Sequence, residues 1–303
     1  MLKTLRRALL ALVAIAVVLA AWVWYRVGRL DVQQVSDDLY VLTGVGGNVG
    51  VLVTDAGVVV VDTMALVRQG DAILARIRTL TAAPVVAILN THYHLDHTHG
   101  NPAFAPGTRV VATANTLRHL RTRDQEFWHD PPARDLLPNE TFEGAHELRL
   151  GGKTVRSFAR GRGHTDGDLV VLFVEDRVLH AGDLIFNGHY PGIDLEAGGS
   201  AREWPATMER VLALDFDKVI PGHGPVTNRE GFRAFQRFMR SLWEQTTAVA
   251  DRGGSLDDAL REVDLEPFGL RRLWYAPQLG PSLVIRRAWE EAAGTVDPAV
   301  GGG

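Results

Sequence analysis

Apolar and polar positions fall into three regimes along the chain. The first is a run free of charged residues over positions 8–25, preceded by Lys3, Arg6 and Arg7 and followed by Arg26 and Arg29. The second begins at Leu39, where short apolar stretches alternate with glycine-containing turns: strands are predicted at 39–43, 50–54 and 58–61, divided by turns at 44–47 and 55–57. This reads as an antiparallel meander. The period then changes to that of an amphipathic helix over 66–80, and an apolar strand at 84–89 runs straight into Asn90-Thr91-His92. A strand at 109–111, a helix over 114–122 and a Pro- and Asp-rich loop over 130–139 follow. A second β-rich block covers 147–150, 154–158, 169–174 and 177–180, before a helix over 201–213 and a strand at 218–220. The third regime, from 229 to about 293, is helical throughout. Two β-rich halves with intervening helices predict an α/β (α+β) fold of stacked sheets covered by helices.

The N-terminal run is about the length needed to cross a bilayer. Its aromatic end, Trp22, Trp24 and Tyr25, suits a membrane interface and argues for an uncleaved anchor over a signal peptide cut near Ala20 and Ala21. The expected organisation is therefore a membrane anchor or signal segment at 1–29, a catalytic domain at 30–228 and a helical C-terminal extension at 229–303. An uncleaved anchor places the catalytic part in the periplasm or exterior with a single membrane pass. Signal cleavage would instead release a periplasmic or secreted protein.

Charge narrows the partners. Residues 1–29 hold five Lys and Arg and no Asp or Glu, so the remainder carries 27 against 36, a net charge of −9. Such an acidic domain is a poor match for a phosphate backbone, and nucleic acid is not expected as a partner. With no cysteine in the chain, both disulfides and thiolate metal ligands are excluded.

The chemistry is concentrated in His92-Tyr93-His94-Leu95-Asp96-His97. Where the chain is extended, His92 and His94 point to one side and can share a cation. Asp96 and His97 follow once the chain turns, and reach a neighbouring one. Further candidates stand beside glycines at strand ends: His164 in Gly163-His164-Thr165-Asp166-Gly167-Asp168, Asp183 in Ala181-Gly182-Asp183, and His223 in Pro221-Gly222-His223-Gly224. Any one of these alone reads as a loop residue.

In this order and spacing the chain resembles the metallo-β-lactamase superfamily from about Val35 to Val226. The resemblance implies an αββα sandwich of two mainly antiparallel sheets flanked by helices. It implies two divalent ions, zinc with iron or manganese as the alternatives. One is held by His92, His94 and His164, the other by Asp96, His97 and His223, and Asp183 bridges them. Asp62 is expected behind the ligands, fixing the orientation of one ring. Two such ions share and activate a water, which implies a bridging hydroxide as nucleophile, with Asp96 orienting it and shuttling the proton.

The implied reaction is hydrolysis of a small-molecule carboxylic-acid derivative: a thioester, a lactone or a β-lactam amide. Two other readings stay open at this point. A mononuclear-iron persulfide dioxygenase shares the fold, and nitrogen and oxygen ligands do not distinguish zinc from iron; a phosphodiester hydrolase is the other. The segment 187–194, just past Asp183, is expected to loop over the site, where Tyr190 could donate a hydrogen bond to a developing oxyanion or simply pack. His180 is expected to be a satisfied buried residue. The helical spacing of Arg229, Arg233, Arg237 and Arg240 reads as a solvated helix face.

Overall fold

The computed structural model describes residues 2–296. A helix, α1 (Leu2–Val27), precedes a sheet of seven strands: β1 (Asp31–Gln34), β2 (Leu39–Thr43), β3 (Val49–Thr54), β4 (Gly57–Val61), β5 (Val85–Leu89), β6 (Arg109–Thr113) and β7 (Glu140–Phe142), paired in that order. The valines of β4 explain the layering. Val59 and Val61 face inward, in one core with Leu52, Val111, Val171 and Phe173. Val58 and Val60 face outward, in another with Ile73 and Ile77 of α2 (Val67–Leu80). A strand apolar on both faces has to be covered on both, and period-two alternation assigns each residue its side.

The meander over β1–β4 is antiparallel, as its turns predict. Beyond it, the expectation of a mainly antiparallel sheet is corrected: β4, β5, β6 and β7 run parallel. A parallel return needs a crossover. Here the crossovers are α2, then α3 (Leu95–Thr98), then α4 (Ala114–Thr122) with α5 (Gln125–Trp128).

The second sheet comprises β8 (Ala145–Leu150), β9 (Lys153–Phe158), β10 (Val170–Phe173), β11 (Val178–His180), β12 (Lys218–Ile220) and β13 (Thr227–Asn228), in the order β13-β12-β11-β10-β9-β8. All its pairs are antiparallel except β11 with β12. Its outer face is covered by α6 (Trp204–Leu212), α7 (Arg229–Asp251), α8 (Leu256–Glu262) and α9 (Pro281–Ala292). These bury Trp204, Phe232, Phe238 and Val284 over Val170, Leu172 and Val219. The result is an α/β fold with two mixed sheets flanked by helices.

The single-pass anchor expected over 8–25 is also corrected. Among the described residues, no helix is long and apolar enough to cross a membrane. Helix α1 runs on through the flanking cations, taking Arg6, Arg7 and Arg26 into its length. Its last turn is tied to the sandwich: Arg68 donates to the Trp24 carbonyl at 2.6 Å, and its guanidinium lies 3.7 Å from the Trp24 ring. The membrane partner and the periplasmic or exterior placement lose their basis with the anchor.

Candidate metal centre

Every candidate ligand lies at one end of the sandwich, because the strands feeding them end there. β5 delivers the chain to His92 and His94, and α3 turns it so that Asp96 and His97 leave from its first turn. The turn before β10 supplies His164, while Asp183 and His223 lie just beyond β11 and β12. Two glycines are needed for the close approach. A Cβ on Gly47 would stand 2.3 Å from the His97 ring, and one on Gly222 would stand 1.9 Å from Asp183 Oδ1.

Three groups of side chains come within ligating range: His92 with His94 and His164; Asp96 with His97 and His223; and His92 with His97 and Asp183. Asp183 lies between the first two. Its Oδ1 is 3.2 Å from His97 Nε2, and its Oδ2 is 3.3 Å from His223 Nε2 and 3.5 Å from His164 Nε2. His223 Nε2 is 3.4 Å from Asp96 Oδ2.

The outer nitrogens are already committed. His97 Nδ1 donates to Asp62 at 2.8 Å, His164 Nδ1 to the Gly192 carbonyl at 2.9 Å, His94 Nε2 to Asp194 at 2.9 Å and His223 Nδ1 to the Tyr275 hydroxyl at 2.9 Å. In a neutral ring that donates outward, the inner nitrogen offers a lone pair. His92 Nε2, His97 Nε2 and Asp183 Oδ1 are buried without a hydrogen-bond partner. His94 Nδ1 and His164 Nε2 face each other at 2.7 Å, an approach that a cation or a shared proton relieves. This donor set, all nitrogen and oxygen, fits divalent metal ions.

Electrostatics differ between the halves. Burial, aided by the neighbouring His97 imidazole, holds His92 well below the usual histidine range. Burial and His94 bring His164 down to about 4, so both present neutral rings. Burial also lowers His97 and His223, but the carboxylates of Asp183 and Asp96 outweigh it and raise both. For Asp183 the opposition is reversed. Burial pushes the carboxyl up, and His223, His97 and His92 together hold it well below the carboxylate range.

Asp62 is fully buried at φ 63°. It accepts from Thr91 N and Thr91 Oγ1, each at 2.8 Å, besides His97. Asp194, which the sequence did not single out, stands behind His94 and also accepts from the Tyr93 hydroxyl. Burial raises its carboxyl, but the bond and charge of His94 hold it below the usual range. His180 is buried, its Nε2 3.2 Å from the Asn48 carbonyl. Arg229 is not free for solvent, since it donates to the Leu214 carbonyl at 2.9 Å, whereas Arg237 pairs with Glu230.

The candidate ligands open on a cavity of about 380 Å³. Phe186, Ile193, Leu273, Ala276, Leu279 and Leu283 give it an apolar wall, with Arg287 as the cation in the lining. Tyr190 does not line it, which corrects its expected place over the site. The ring is buried in the helical core, 6.2 Å from Phe238, because the segment after Phe186 turns inward under α7. The tyrosine at the cavity is Tyr275, and nothing local in the sequence marks it.

Residues 42–223 match the family model described as the metallo-beta-lactamase superfamily, and the chain belongs to that superfamily. Among its relatives, it is 24% identical over 257 residues to the linear primary-alkylsulfatase of Pseudomonas sp. (strain ATCC 19151), covering 70% of this chain and 48% of that protein. It is 25% identical over 213 residues to the metallo-beta-lactamase type 2 of Bacillus cereus, covering 67% of this chain and 79% of that one. In fold it is similar to a solved structure of a double mutant of the sec-alkyl sulfatase PisA1, with a TM-score of 0.72, 18% identity, and coverage of 89% of this chain and 51% of that structure. The chain thus spans about half the length of the alkylsulfatase it matches.

Proposed function

We propose that the chain is a binuclear metallohydrolase of small molecules, zinc being the first choice of metal. In this reading 30–228 is the catalytic unit and the described part of the C-terminal extension, 229–296, is an integral helical cover. The observation that carries it is Asp183, which reaches both histidine groups while its own Oδ1 and two facing imidazole nitrogens lack partners. His92, His94 and His164 would hold one ion, Asp96, His97 and His223 the other, and Asp183 both. When bound, such a pair supplies Lewis acidity and a water of lowered pKa. Asp96, about a quarter exposed and facing the cavity, takes the proton of the attacking water and returns it to the leaving group. Phe186 and the leucines exclude bulk water and bind the apolar part of the substrate.

The favoured bond is that of a carboxylic-acid derivative: a thioester, a lactone or a β-lactam amide. A sulfate ester of an apolar alcohol is the second reading. It is supported by the similarity to the alkylsulfatase and by a wall made largely of hydrocarbon. The test is a panel of thioesters, lactones, β-lactams, alkyl sulfates and phosphodiesters, assayed with zinc-, manganese- and iron-loaded protein. Turnover of a carbonyl substrate, abolished in His94→Ala, is expected. Turnover confined to alkyl sulfates moves the assignment to the second reading, and oxygen uptake with a thiol persulfide overturns hydrolysis altogether.

A further inference from the structure

Of the candidate ligands, His223 is oriented directly from outside the family-matched region, and the turn that orients His94 and His164 is gripped from there. Tyr275, in the segment between α8 and α9, accepts from His223 Nδ1 at 2.9 Å and donates to the Gly46 carbonyl at 3.1 Å. Gly46 belongs to the turn that packs on Asp96. One hydroxyl thus ties together a ligand, the turn beside a second ligand and the C-terminal extension.

Arg287 of α9 does the corresponding work on the other side. Its Nε donates to the Ile193 carbonyl at 3.2 Å, and its guanidinium bonds Glu196 and, at 2.8 Å, Glu290. The turn it grips, 192–196, holds two of the three histidines of the first group, His94 and His164. Gly192 O accepts from His164 Nδ1, Asp194 N donates to the His164 carbonyl at 3.0 Å, and Asp194 Oδ2 accepts from His94 Nε2. A second tie is independent of Arg287: Glu291 of α9 accepts from Ala201 N at 2.7 Å, just past the same turn.

We infer that the C-terminal extension positions both metal sites separately, Tyr275 acting through His223 and Arg287 acting through the 192–196 turn on His94 and His164. This rests on the two-ion reading. Neither residue ligates; each is a positioning residue, and groups that orient ligating histidines change metal affinity by roughly 10- to 100-fold when removed. The division of labour follows from geometry. Tyr275 touches only the group of Asp96, His97 and His223. The turn gripped by Arg287 touches only that of His92, His94 and His164.

The experiment uses the full chain loaded with cobalt(II), comparing wild type with Tyr275→Phe, Arg287→Met and Arg287→Lys. Bound metal is measured by elemental analysis against graded chelator, the visible cobalt bands report which position is filled, and melting curves report folding. His94→Ala and His223→Ala supply reference spectra for the two positions. Tyr275→Phe should release the ion of the His223 position at about 10- to 100-fold lower chelator and leave the other band unchanged. Arg287→Met should do the reverse, with Arg287→Lys, which keeps the charge opposite Glu196, in between. A wild type that saturates at two ions, with variants that release both together or not at all, overturns this inference alone. A wild type that saturates at one overturns the two-ion reading along with it.

Discussion

Asp62 shows how much one side chain does behind the ligands. A non-glycine residue at φ 63° is strained, and three hydrogen bonds to Thr91 and His97 hold it there with no exposed surface. Removing the carboxylate leaves buried donors on Thr91 and His97 without an acceptor, each a cost of about 1–3 kcal/mol. Asp62→Ala should therefore lose on the order of 3 kcal/mol in denaturant unfolding. Asp62→Asn should lose less, because Asn tolerates the left-handed backbone and keeps one acceptor. Its amide nitrogen must still face a donor, so the His97 ring loses its fixed tautomer and its ion is held more weakly. Equal stability of Asp62→Ala and wild type would show that the buried bonds do not matter. The candidate ligands stand out in the sequence because four of them fall within six residues and the others sit beside glycine at strand ends. Asp194 and Tyr275 do not. They act on imidazoles 100 and 52 positions away in the chain, and nothing in their local pattern separates them from ordinary loop residues.

At the scale of elements, apolar runs closed by glycine turns identified β2, β3 and β4 within a residue of their ends, and the helical period did the same for α2 and α4. Exposed edge strands left no such mark. β1 is exposed at every position, and β7 has only three residues, none buried. The parallel half of the first sheet was equally hidden, since strand direction is set by crossover connections and not by the strands' own residues. What holds β7 in place is Glu140. It accepts from Arg109 Nε of β6 at 2.5 Å and Nη2 at 2.7 Å, and lies 2.9 Å from His146 Nε2 of β8, so it joins the edges of the two sheets. The hydrogen bond from Arg109 is the largest influence on its carboxyl, bringing it down to about 2 from an ordinary 4.5. A depressed carboxyl contributes stability that is present above about pH 4.5 and lost as pH falls towards 2. Glu140→Gln should accordingly melt below wild type at pH 7, with a gap that closes between pH 4.5 and 2. The gap should be modest, because Glu140 is about a third exposed. A gap that stays constant down to pH 2 would mean the ion pair is not its source.

For the whole molecule, the question is whether 229–303 is a separable appendage, as the family match ending at 223 suggests. The packing says otherwise. Trp204, Met208, Val211 and Phe216 lie at or below 1% exposure only because Phe232, Phe235, Phe238, Met239 and Leu242 of α7 cover them, and α7 is backed in turn by Val284, Ile285 and Ala288 of α9. Uncovering several large side chains at once, each worth about 1.5–3 kcal/mol when fully buried, costs as much as the 5–15 kcal/mol by which a domain is ordinarily stable. The same cut removes Leu273, Leu279 and Leu283 from the cavity wall and Tyr275 from His223. A chain ending at Asn228 should therefore keep much of its far-ultraviolet circular dichroism, bind a hydrophobic dye and melt without a cooperative transition. Added zinc should not restore the transition, since the missing contacts are apolar and lie mostly away from the ligands. A sharp melt with two ions bound would instead make 30–228 a self-sufficient domain and reduce the C-terminal helices to a cap that shapes the cavity.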